Sequence, residues 1–231
     1  VIVGISNQAG KTRRLFSIGE NGETIEKKAD NINAYLTAGA NVIIKKVSKS
    51  VSDLPEMKFG NKPVDGGNLL LSKDEVNSLN LSKEQQKKFL RRIYGSAEFI
   101  RGLQRYCLWI EDEHFEEAIA IEPIRRRIEG VREMRLGSRD KSANEMAEQS
   151  HKMREMNIGI HQTIVIPAVS SESRGYLPVG LVNNQTTINN AAFALFDSPV
   201  WCLSIIASKL HISWIATVCG KLKTDFRYSN T

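Results

Sequence analysis

Cysteine is scarce in this chain. There are three among 231 residues (Cys107, Cys202, Cys219), an odd number, widely spaced, each within an apolar stretch. That excludes a disulfide framework and fits a reducing, cytoplasmic setting. Histidine is scarce too, and His114, His151, His161 and His211 show no paired ligand spacing with one another or with cysteine, so the sequence does not support a metal site. No apolar run approaches about 18 residues, which leaves no candidate membrane-spanning helix. There is no Gly-x-Ser-x-Gly elbow, no internal repeat and no low-complexity tract.

What remains is ordinary globular usage, with 41% hydrophobic and 25% charged residues. The length suits one large domain, or one domain with a subdomain. Lys and Arg number 32 against 26 Asp and Glu, a net charge of +6. That mild excess permits an anionic partner without requiring one. Val1 stands inside the apolar run Val-Ile-Val-Gly-Ile with no initiator Met, so a piece of a longer protein is expected, opening on a buried strand over Val1 to Ile5.

Leu15–Ile18 and Glu23–Glu26 flank Gly19-Glu20-Asn21-Gly22, and the Asn-Gly pair predicts a hairpin with positive φ at both turn positions. Val42 to Val47 reads as a short strand, and 53–68, rich in Pro and Gly, reads as a loop. Ser72-x-x-Glu75 and Ser82-x-x-Gln85 are capping boxes, each opening a helix. Tyr106 to Ile110 and Ile164 to Pro167 read as strands, and Ser138 to Asn157 as helical or loose. Leu203 to Val218 reads as one helix, apolar nearly all round, with His211 and Trp214 as packing residues.

Pro123 suits the first turn of a helix running to about Leu136, whose Ile124, Ile128 and Val131 share one face. Arg125, Arg132 and Arg139 recur every seven residues on a flank, provided the helix continues through Gly137. Two readings stay open: a solvated face, or a stripe of guanidinium forks that tracks phosphates. Farther on, Ala168-Val169-Ser170-Ser171-Glu172-Ser173-Arg174-Gly175-Tyr176 gathers hydroxyls, a carboxylate, a guanidinium and an aromatic into one turn-rich loop. Arg pairs with guanine, a carboxylate with the cytosine amine and Ser with either, so these groups suit base edges. A Ser-rich turn with a surface Glu/Arg pair is the plainer alternative.

Two other motifs weigh less. Gly4 to Thr12 suggests a P-loop around Lys11, but five residues separate its glycines where a P-loop has four, and a hairpin rather than a helix follows. Ser198-Pro199-Val200-Trp201 is similar to the Asn/Asp/Ser-Pro-Pro-aromatic motif that holds a target amine in amino-methyltransferases, but Val200 replaces the second Pro and no Gly-rich cofactor loop accompanies it.

Six phrases, taken together and in order, resemble one family. They are Met57-Lys58-Phe59-Gly60-Asn61-Lys62-Pro63 with Asp65-Gly66-Gly67; Gly95-Ser96-x-Glu98-Phe99-Ile100; Arg105-Tyr106-Cys107-Leu108-Trp109-Ile110; Val131-Arg132-x-x-Arg135-x-x-Ser138; Ile166-Pro167 through Ser170-Ser171-Glu172-x-Arg174-x-Tyr176-x-Pro178-x-Gly180; and Gly220-x-Leu222-Lys223-x-Asp225-x-Arg227-Tyr228-Ser229. This pattern resembles the target recognition region of MmeI-like adenine-specific DNA methyltransferases of restriction–modification and phage-defence systems. Lys221 departs from it, where the family has Gly-Arg-Leu.

The resemblance implies an α+β fold of mixed short β-sheets with several covering helices. Residues 1–50 would be strand and hairpin linker from the end of a methyltransferase domain, and 51–231 a recognition domain cut short at its C-terminus. It implies a fragment that binds double-stranded DNA and reads its sequence, non-catalytic itself and without cofactor. A covalently linked domain of the parent would carry S-adenosylmethionine, methylate adenine N6 and, in some members, accompany an endonuclease. The residues expected at DNA are Ser170, Ser171, Glu172 and Arg174, with Arg174 foremost, and Arg125, Arg132, Arg135, Ser138 and Arg139 upstream. The alternatives are a non-catalytic structural or protein-interaction domain and, less favoured, a P-loop-like nucleotide hydrolase.

Overall fold

The computed structural model describes residues 2–7, 12–45, 47 and 53–229. Contacts divide the chain into a unit ending at Lys49 and a unit beginning at Ser50.

The first unit is built on the hairpin of β1 (Arg13–Ile18) and β2 (Thr24–Ala29), antiparallel with Ile18 opposite Thr24. Its turn differs from the expected two-residue form. Gly22 N donates to Gly19 O at 3.0 Å and Gly19 N to Glu23 O at 2.8 Å, which leaves a three-residue loop. In that loop only the last residue needs the left-handed region, and Gly22 takes it at φ 82°. The described part of Val1–Ile5, residues 2–5, forms no strand. Ile2 and Ile5 stand exposed with no strand beside them among the described residues, and a strand exists only through its partner. Residues 42–45 and 47 likewise form no strand, and residue 46 lies outside the described residues. Residues 8–11 of the P-loop-like segment, Lys11 among them, also lie outside them.

Among its described residues the second unit holds three small sheets. The first has the order β10 (Thr186–Ile188), β5 (Leu90–Tyr94), β6 (Tyr106–Leu108), β4 (Leu70–Leu71), with β10 parallel to β5. Helices α1 (Lys73–Ser78) and α2 (Lys83–Phe89) start where expected. In both capping boxes the Ser hydroxyl accepts the third backbone N–H, and Glu75 or Gln85 reaches back to the Ser N–H. Helix α4 (Phe115–Ile119) precedes α5 (Glu122–Leu136), which has Pro123 in its first turn and lays Ile124, Ile128 and Val131 into a core with Leu69, Phe89, Ile93 and Leu108. Beyond it, α6 (Lys141–Glu145) and a 3-10 turn at Ala147–Gln149 occupy the stretch expected to be helical or loose.

The second sheet has the order β3 (Lys58–Phe59), β11 (Ala192–Phe196), β7 (Gln162–Pro167), β9 (Gly180–Asn183). β3 arises inside the expected loop because Gly60 lets the chain run against the backbone of Ile188 and Asn189, where a Cβ would lie 2.2 Å from Asn189 O. Both faces of this sheet are covered. Ile164, Ile166, Phe193 and Leu195 pack one way, and Val165, Ala192 and Ala194 the other, against Phe99 of α3 (Ser96–Arg101). Burial on both faces explains why β7 runs apolar from Ile164 to Pro167 rather than alternating.

The expected single helix over 203–218 is two, α7 (Trp201–Ile206) and α8 (Lys209–Val218). Ser208 adopts an extended conformation and its hydroxyl accepts His211 N at 3.1 Å, so it caps the second helix rather than continuing the first. Nor is this region core all round. Cys202, Ile206, Ile212 and Ile215 face the sheet, while Trp214 is 51% and Leu210 82% exposed, because a short helix against one sheet buries only one stripe. His211 packs beside Tyr228, with ring centroids 5.6 Å apart. A third sheet, β12 (Gly220–Leu222), β13 (Asp225–Arg227), β8 (Val169–Ser170), closes the unit. Among the described residues, no helix is long and apolar enough to cross a membrane.

Candidate nucleic-acid interface

The loop from Ser171 to Tyr176 is anchored at both ends. Ser170, in β8, is 2% exposed and lies opposite Phe226 of β13, while Leu177, 2% exposed, enters the core under α7 and α8. Between these anchors the chain turns sharply. Arg174 N donates to Ser171 O at 3.2 Å, Ser173 N donates to Ser171 Oγ at 3.3 Å, and the two hydroxyls lie 2.9 Å apart. Glu172 and Tyr176 are exposed and Arg174 is half-buried. Among the described residues the Arg174 guanidinium has no carboxylate partner. Glu172 has one: Lys221 Nζ of β12 donates to Glu172 Oε2 at 3.2 Å.

Ser170 departs from expectation. Pairing with β13 buries its hydroxyl, which has no hydrogen-bond partner among the described residues, so it faces the interior rather than a ligand.

The upstream group departs further. Arg135 is fully buried. Its Nε donates to Val64 O at 2.8 Å, one terminal nitrogen to Met146 O and Gln149 O at 2.8 and 2.9 Å, and the other to Pro63 O and Lys152 O at 3.0 and 2.6 Å. All five guanidinium donors are spent on backbone carbonyls, so none is left for phosphate. Burial draws its pKa below the usual value, and the Asp65 carboxylate opposes that shift. The seven-residue arginine stripe does not form either, because α5 ends at Gly137 and Arg139 lies beyond it. Arg125 is paired with Glu122 and with Glu129 (3.8 Å), and Arg132 with Glu148 at 3.3 Å. Ser138 Oγ accepts Asp140 N at 3.1 Å, and Asn144 Nδ2 donates to the carbonyls of Arg135 and Ser138, closing the helix end. Arg139 is exposed.

Three exposed cations escaped the sequence reading: Lys221, Lys223 and Arg227 of the β12–β13 hairpin, with Lys223 at its tip at φ 58°. The signal was present in the phrase running from Gly220 to Arg227, but only β8 pairing brings those residues to the loop. Two reactive possibilities weaken. Burial pushes the Cys107 thiol up to about 12, so it is no nucleophile near neutrality. Glu111, Glu113 and His114 lie together on the surface, with His114 Nε2 3.3 Å from Glu113 Oε1.

A loop anchored at both ends thus shows Glu172 and Arg174 next to the β12–β13 hairpin. The chain belongs to the MmeI target recognition domain family, whose model matches residues 38–231. DNA methyltransferase A of Bacillus subtilis (strain 168) is 35% identical over 229 residues, which is 99% of this chain and 26% of that protein. The structure of the Type IIL restriction-modification enzyme MmeI in complex with DNA matches with a TM-score of 0.84 at 32% identity, over 96% of this chain and 30% of that one. The chain therefore spans less than a third of the length of these relatives.

Proposed function

We propose that this domain binds duplex DNA and reads the sequence at which a linked methyltransferase domain, loaded with S-adenosylmethionine, modifies adenine N6. The observation that carries the reading is the anchored loop, which presents Glu172 as an acceptor and Arg174, without a carboxylate partner among the described residues, as a fork beside the cationic β12–β13 hairpin. The likeness in fold and sequence to MmeI, a protein solved with DNA, supports it. Arg174 is the leading base or phosphate contact, with Glu172 and Ser171 of the same loop and the exposed Arg139 beyond α5 as further candidates. Arg135 and Ser170 leave the set, because one is spent on carbonyls and the other is covered.

A filter-binding titration of the chain against duplex DNA at two salt concentrations tests this. Binding should weaken steeply with salt as counterions are released. Loss of Arg174 in Arg174→Ala should cost about 1–3 kcal/mol at one base-pair position if it reads a base. If Arg174 holds phosphate, all sequences should weaken alike. A chain that binds duplex at neither salt is a structural or protein-interaction domain, and the reading fails.

A further inference from the structure

We propose that Lys221 is a positioning residue for base readout, holding the Glu172 carboxylate in one orientation so that it meets a single base edge. This assignment rests on the DNA-reading role proposed above. Strand register carries it first. Lys221 lies opposite Phe226, and Phe226 opposite Ser170, so the three sit side by side across one face of the β12–β13–β8 sheet. Glu172 follows Ser170 by two residues, at the point where the chain leaves that sheet.

The geometry of the ammonium carries it further. Lys221 Nζ lies 3.2 Å from Glu172 Oε2 and 5.5 Å from the centroid of the Phe226 ring. Phe226 is itself buried in the core, so the cation rests over a fixed ring. Two partners at once confine a side chain that is otherwise among the most mobile. Only Oε2 is engaged among the described residues, and Oε1 stays open to accept a hydrogen bond. The side chains are 48% and 45% exposed, and a pair so exposed adds little to folding stability. Its consequence is direction. A bare carboxylate repels approaching phosphates, whereas one neutralised at Oε2 can offer Oε1 to the exocyclic amine of a cytosine.

Selection from duplexes with a randomised core, run with the wild-type chain and with Lys221→Met, Lys221→Arg, Glu172→Gln and the double variant, tests the assignment. The wild type should prefer cytosine at one position. Lys221→Met and Glu172→Gln should each weaken that preference by about tenfold at the same position. The double variant should lose no more than either single, and Lys221→Arg should restore the preference. Without DNA, amide exchange over 171–176 should quicken in Lys221→Met. A Lys221→Met profile equal to wild type overturns the assignment, whether affinity is unchanged or uniformly lower, the latter making Lys221 a phosphate contact. A wild-type chain that selects no sequence is a different failure, that of the DNA reading itself.

Discussion

Asn61 and Asn157 hold each other at two points. Asn61 Nδ2 donates to Asn157 O at 2.9 Å, and Asn157 N donates to Asn61 Oδ1 at 2.8 Å, so a side-chain amide completes what a neighbouring strand would otherwise supply. Asn61 is fully buried, and the same Nδ2 lies 2.6 Å from Thr187 Oγ1. One residue thereby joins the segment after β3 to the approach to β7 and to β10. Asn61→Ala strands the backbone N–H of Asn157, leaves its carbonyl only the Thr187 hydroxyl at 3.3 Å, and should cost roughly 2–4 kcal/mol. Asn61→Asp keeps the acceptor, loses the donor and buries a charge, so it should cost at least as much. Urea denaturation measures both, and a midpoint equal to wild type for Asn61→Ala refutes the role.

Arg135 makes a second prediction, with folding rather than affinity as its readout. Arg135→Met fills some of the volume but withdraws the guanidinium from five carbonyls, of which only those of Met146 and Gln149 keep a backbone donor, and should destabilise by about 3–5 kcal/mol. Arg135→Lys retains charge but has three donors in a different geometry, so it should rescue only partly. Thermal unfolding followed by circular dichroism separates this from a DNA contact, which would leave the transition temperature unchanged.

Acid should loosen the first core at a predictable place. The Glu75 carboxyl is held down from its ordinary 4.5 to about 2, first by the Ser72 backbone N–H and then by the Arg127 guanidinium, 2.8 Å away. A carboxyl depressed in the folded state stabilises fully above its unfolded pKa and loses that contribution as pH falls through the folded value. The loss from Glu75 therefore runs from pH 4.5 down toward 2. Glu75→Gln preserves the capping box but cannot ionise, so its stability should fall less over that window. Equal slopes for the two proteins in urea titrations at several pH values would falsify the assignment.

The two Trp-bearing helices give a contrast in burial. Leu210 and Trp214 are exposed, whereas Ile215 of the same helix is fully buried. Leu210→Gln and Trp214→Gln should change stability by less than about 0.5 kcal/mol. Ile215→Ala should cost about 2–5 kcal/mol through the cavity it leaves. If Trp214→Gln unfolds the chain as Ile215→Ala does, the face is packed and not open.

Local signals were the legible ones. The capping boxes at Ser72 and Ser82 and Pro123 at the start of α5 each act within four residues and stand where the sequence placed them, and the hairpin turn is where expected though one residue longer. What failed depended on distant partners. Arg135 looks like a surface arginine on an amphipathic helix, and only the carbonyls of Pro63 and Val64, some 70 residues earlier, bury it. Ser170 reads as a loop hydroxyl until β13, 56 residues later, covers it. The same pairing brings Lys221 to Glu172, so the loop was visible in the sequence while the cation that faces it was not.

The arginines of α5 provide the sharpest discrimination between a surface that is merely basic and one that touches DNA. Arg125, Arg126 and Arg132 are bound by Glu122, Glu129 and Glu148, so each would have to give up a carboxylate to meet a phosphate. Exchanging one anion for another releases little. A true phosphate contact contributes about 0.9 to the slope of log K against log salt, so its removal should flatten that slope by about one unit. Arg125→Ala and Arg132→Ala should therefore leave the slope within experimental error of wild type. Arg174→Ala should flatten it by about one unit, or else keep the slope and weaken one base preference. The reverse pattern, flattened slopes for the helix variants and none for Arg174→Ala, would move the interface from the loop to α5.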